Sequence, residues 1–118
     1  AAQRPEPIPV YAEMGSINPV IFSPKSLLKS PKKWAETYAE SITTGVGQFC
    51  TNPGLIIGIE SEVFSSFSKL LAEIVDTKTK QTMLGSNIKM AYRNLISEID
   101  NKVTTLTSKQ KENPTRRP

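Results

Sequence analysis

A chain of 118 residues can bury one modest core and so holds at most one domain. Its formal charge of +4 is carried by scattered side chains such as Lys25, Lys29, Lys69, Lys78 and Lys80, with no basic stripe interleaved with aromatics, so no nucleic-acid partner is expected. One cysteine and no histidine exclude an internal disulfide, a Cys–His dyad and a structural zinc site, and no apolar run approaches the ~20 residues of a membrane helix.

The lone thiol suits a reducing compartment, so a cytoplasmic location is expected. The N-terminus, Ala-Ala-Gln-Arg-Pro-Glu-Pro, has no apolar signal core, and without an initiator Met the chain is expected to belong to a longer protein. Ile8, Val10 and Ala12 alternate with Pro9 and Tyr11 and predict a first strand, ended by a turn at Glu13-Met14-Gly15-Ser16. Asn18-Pro19-Val20-Ile21-Phe22 predicts a second. Ser30 before Pro31 reads as an N-cap with proline at the first helical position. Trp34, Tyr38, Ile42 and Val46 then recur every four residues, which predicts a helix to about Gly47.

Asn52-Pro53-Gly54 predicts a turn, and the apolar run Leu55–Ile59 predicts a strand buried on both faces. Ser61 is placed to cap a helix whose stripe is Val63, Phe64, Phe67, Leu70, Leu71, Ile74 and Val75. After a polar linker at 76–81, Ile88, Ala91, Tyr92, Leu95, Ile96 and Ile99 predict a further helix, and Val103–Leu106 a last short strand. Residues 108–118 are polar and charged and predict disorder. Strands alternating with helices indicate an α/β fold with crossover helices, organised as one unit over 1–107 followed by a tail.

Cys50 is the residue on which chemistry would turn. It lies in Gly45-Val46-Gly47-Gln48-Phe49-Cys50-Thr51-Asn52-Pro53-Gly54, where glycines allow close backbone approach and a thiol could act as a covalent nucleophile. Without histidine its base must be a carboxylate, and Glu13, at a predicted strand end beside glycine, is the candidate. The residues alone leave other readings open: an independent thiol esterase, or a non-catalytic basic α/β interaction module with Cys50 buried.

Glu13-Met14-Gly15-Ser16-Ile17-Asn18-Pro19 resembles the glutamate motif of aldehyde dehydrogenases, Glu-Leu-Gly-Gly-Lys-Asn/Ser-Pro, and Gly47-Gln48-Phe49-Cys50 their cysteine motif, Gly-Gln-x-Cys. The separation of 37 residues between Glu13 and Cys50 is close to the family's own. Met14, Ser16 and Ile17 depart from the commoner Leu, Gly and Lys, and the fuller text resembles the branch containing 2,5-dioxovalerate (α-ketoglutaric semialdehyde) dehydrogenases. The resemblance implies part of a catalytic domain in which Cys50 forms a thioester and Glu13 activates the water that hydrolyses it. It further implies Phe49 and Thr51 as linings of the aldehyde pocket, Gln48 and Asn18 as shapers of the loop, and NADP (or NAD) as cofactor. A small-molecule aldehyde substrate and a homo-oligomeric full-length enzyme follow from the same resemblance. The cofactor would be bound mainly by residues outside this chain, and the 118 residues alone are expected to lack turnover.

Overall fold

Proline and serine mark the entry to each early element. In the computed structural model, which describes residues 3–9, 15–99 and 102–107, strand β1 spans Pro19–Phe22. Proline at its first position suits a residue with no N–H to give to a ladder. Ser23 then caps a six-residue helix α1, Pro24–Lys29, its Oγ accepting from the Ser26 N–H at 3.3 Å. This helix was not expected, although Ser23-Pro24 carries the same cap-then-proline signal as Ser30-Pro31.

Helix α2 runs Pro31–Thr43. Ser30 occupies its N-cap position without a side-chain capping bond, contrary to its expected role. The reason is local: Ser30 alone separates α1 from α2, with φ −155° and ψ 60°, and helps through its carbonyl, which accepts from the Trp34 N–H at 3.1 Å. The helix stops at Thr43, earlier than the apolar spacing implied. Thr43 and Thr44 turn their hydroxyls back onto the carbonyls of Ala39 and Glu40, at 2.7 and 2.8 Å, and a short 3-10 turn follows over Thr44–Gly47.

Strand β2, Leu55–Gly58, pairs with β1 in parallel, Pro19 opposite Leu55 and Phe22 opposite Gly58. Helix α3, Glu62–Asp76, is capped as expected by Ser61, whose Oγ accepts from the Phe64 N–H at 3.2 Å. Glu62 in its first turn suits the positive end of the helix dipole. Helix α4 spans Ser86–Ile99 and buries none of its residues. The expected α/β fold is present. Among the described residues no helix is long and apolar enough to cross a membrane.

The core lies on one face of the two-stranded sheet. Phe22 is its hub: its ring centroid is 4.9 Å from Phe67 of α3, and it meets Trp34 and Tyr38 of α2 edge-on at 5.9 and 5.8 Å. Leu27, Ala35 and Ala39 are sealed beneath, and Val20 and Ile56 pack against the cluster from the strands. Small alanines at 35 and 39, rather than the Trp34 edge of the predicted stripe, form the fully covered part of α2.

Two expectations about strands fail, and a third lies mostly outside the described residues. Ile57 and Leu55 are 47% and 44% exposed, so β2 is covered on one face only, because α2 and α3 both pack on the same side. Val103–Leu106 forms no strand, and these residues have no ladder partner among the described residues. Of the predicted first strand, Ile8 and Pro9 are not in a ladder; Val10 to Ala12 lie outside the described residues, as do Glu13 and the tail 108–118.

Replacing Phe22 by Ala removes the ring shared by β1, α2 and α3. The unfolding free energy from urea titration should fall by about 3–5 kcal/mol, whereas a surface change such as Ser65→Ala should leave it within about 0.5 kcal/mol.

Candidate functional site

The segment between α2 and β2 owes its shape to three consecutive left-handed residues. Gly45, Val46 and Gly47 have φ of 58°, 59° and 70°. The two glycines adopt this region freely, but a β-branched valine there is strained and must be held by its neighbours. A Cβ added at Gly45 would stand 2.5 Å from the Phe49 ring, which would have to shift to admit it.

The left-handed run is followed by a turn over Phe49–Asn52, closed by the Asn52 N–H donating to the Phe49 carbonyl at 3.0 Å. The turn thus sits earlier than the Asn52-Pro53-Gly54 position expected, since a residue before proline is driven to extended backbone. Cys50 is the second residue of this turn and is an exposed free thiol. The alternative reading that required a buried cysteine is overturned by that exposure.

Side chains from the approach to β1 hold the turn in place. Asn18 Nδ2 donates to the Cys50 carbonyl at 2.9 Å and to the Asn52 carbonyl at 3.1 Å, and the Asn18 backbone N–H donates to the Asn52 carbonyl at 3.2 Å. Ser16 Oγ also donates to the Cys50 carbonyl. Asn52 Nδ2 ties the far side of the turn to the Ile42 carbonyl at 3.0 Å, and the Tyr38 hydroxyl donates to the Pro53 carbonyl. Gln48 Oε1 accepts from the Leu84 N–H at 3.2 Å. Asn18 and Gln48 therefore shape the loop as expected. Ser16, Asn52 and Tyr38 were missed, because their bonds reach backbone carbonyls that no sequence pattern brings together.

Phe49 and Thr51 flank Cys50 and are both exposed. A cleft of about 330 Å³ is bounded by Val20, Phe22, Trp34, Tyr38 and Pro53, and none of Phe49, Cys50 or Thr51 lines it. The glycine pair before Cys50 does not fit the phosphates of a dinucleotide. Gly45 and Gly47 follow the C-terminal end of α2, where carbonyls and the negative end of the helix dipole face outward, the reverse of a phosphate-binding turn.

Curated relatives match the chain over most of its length. Alpha-ketoglutaric semialdehyde dehydrogenase 2 of Azospirillum brasilense is 46% identical over 94 residues, which is 80% of this chain and 18% of that protein. Alpha-ketoglutaric semialdehyde dehydrogenase of Acinetobacter baylyi is 43% identical over 101 residues, 86% of this chain and 19% of that protein. The chain thus spans about a fifth of the length of these relatives. No family model matches it.

Burial raises the Tyr38 hydroxyl above its ordinary pKa of 10.0. The folded protein then keeps this proton to higher pH than the unfolded chain does. Its contribution to stability is complete below the unfolded value and is lost as pH rises through the folded one. Denaturation midpoints measured on either side of pH ~10 should therefore fall in the wild type and fall less in Tyr38→Phe. At neutral pH Tyr38→Phe should cost about 1–3 kcal/mol, through the unpaired Pro53 carbonyl. Gly45→Ala should cost at least about 1–2 kcal/mol from its left-handed backbone alone.

Proposed function

Because the chain belongs to the aldehyde dehydrogenase family, we propose that the protein it represents oxidises an aldehyde to the carboxylic acid through a Cys50 thioester. A semialdehyde such as 2,5-dioxovalerate is the substrate, in keeping with the names of both relatives. The observation that carries the proposal is an exposed thiol at the corner of a turn that hydrogen bonds pin to a strand.

In this reading the Cys50 thiolate adds to the aldehyde carbon, and the carbonyl π electrons move to oxygen. The Cys50 backbone N–H is the donor on this chain for that oxyanion; its asparagine partner lies outside the chain. NADP (or NAD), held by residues outside this chain, supplies the hydride acceptor. Once the carbon is oxidised, the acyl group remains on Cys50 as a thioester. Glu13 takes a proton from water, the hydroxide adds to the acyl carbon, and the carbon–sulfur bond breaks to return the thiolate and release the acid. Phe49 and Thr51 meet the aldehyde's substituent in this reading, which their exposure on either side of Cys50 supports. The whole enzyme is a cytoplasmic homo-oligomer in this proposal, and Cys50 needs no metal.

Reduction of NADP by the full-length protein with short semialdehydes tests the proposal. Cys50→Ser should lower turnover by at least about a thousandfold, as loss of a covalent nucleophile does. Unchanged activity in that variant ends the proposal. Glu13→Gln should leave an initial burst of reduced nucleotide and then slow the steady state by about 10²–10⁴-fold, since hydrolysis of the thioester needs the base in every turnover, whereas a thiol can also lose its proton to solvent.

A further inference from the structure

The turn that carries Cys50 has little packing to hold it. Phe49, Cys50 and Thr51 are all exposed, and the stem before them contains Gly45 and Gly47, whose lack of side chains offers small resistance to hinging. The apex is held instead by hydrogen bonds to its carbonyls. From Asn18, the two protons of a single amide nitrogen bridge the carbonyls of Cys50 and Asn52, and Ser16 adds a second donor on the Cys50 carbonyl. Both residues follow Glu13 closely in the sequence.

We propose that Ser16 and Asn18 are positioning residues that fix the Cys50 carbonyl, and through it the direction in which the thiol is presented to the aldehyde. The inference rests on Cys50 being the nucleophile. It goes further by assigning the aim of that nucleophile to two side chains on the segment leading into β1. An amide suits the bridging place because it has two N–H donors on one atom. A carboxylate of the same shape has none, and would set a charged acceptor against two carbonyl oxygens. The serine hydroxyl adds a donor where the family's commoner glycine has no side chain.

The test is made on the full-length protein with Asn18→Asp, Asn18→Ser and Ser16→Gly. Folding is checked by circular dichroism and thermal melting. Two quantities are read: the rate of Cys50 alkylation by iodoacetamide as a function of pH, and kcat and KM for semialdehyde oxidation. Asn18→Asp should lower kcat about 10- to 100-fold with KM little changed, as a displacement of reacting groups by about an ångström does. The alkylation rate at its high-pH plateau should change with it. Ser16→Gly, losing one of two donors, should lower kcat about threefold, and Asn18→Ser, keeping one donor, should fall between the others.

Wild-type kcat and a wild-type alkylation profile in folded Asn18→Asp would overturn the proposal. If Asn18→Asp does not fold, wild-type values in both Asn18→Ser and Ser16→Gly do so. A merely structural role would lower the melting temperature and leave the plateau rate and kcat of the folded enzyme unchanged, which also overturns it. Because alkylation needs no turnover, it judges the positioning separately from Cys50→Ser, which judges the nucleophile.

Discussion

Two parallel strands cannot be joined by a tight hairpin, so pairing Pro19–Phe22 with Leu55–Gly58 obliges residues 23–54 to leave the sheet and return. The return journey is α1, α2 and the left-handed run. The register sets Pro19 opposite Leu55, which brings the residues just before each strand side by side. Asn18 thereby meets Asn52, and Ser16 meets Cys50. Proline at position 19 has no N–H, and the backbone and side chain of Asn18 make the connections at that end of the sheet.

That pairing depends in turn on Phe22. Its ring is the point where the strand touches both α2 and α3, and the alanines at 35 and 39 let α2 come close beneath it. A hydrophobic anchor at one end of β1 and a polar clamp at the other hold the same four-residue strand. The anchor contributes stability, whereas the clamp contributes geometry, since exposed hydrogen bonds are individually modest in free energy. Strain follows the same division. The valine at φ 59° stands next to the site and away from the core, where a turn over-determined by its hydrogen bonds can hold it.

Helices were the most legible part of the sequence. The stripes of α3 and α4 and the Ser61 cap are local patterns, and each produced a helix within a residue or two of its expected limits. Short strands were less so: β1 and β2 were found, while Val103–Leu106 has the same apolar look and forms none. A strand needs a partner that its own residues do not specify. The reach of β2's burial was misjudged for a related reason, because an apolar run shows what could be covered and not what covers it.

The amino-acid sequence by itself determined the family, the candidacy of Cys50 and Glu13, and the presence of α2, α3, α4 and both paired strands. Those rest on residue identity and short-range spacing, which a linear chain records directly. Only the tertiary structure decided that Cys50 is exposed, that Val46 is left-handed, and that the Cys50 carbonyl is held by residues more than thirty positions away. Register between distant strands decides such contacts, and it emerges only when the sheet forms over Phe22.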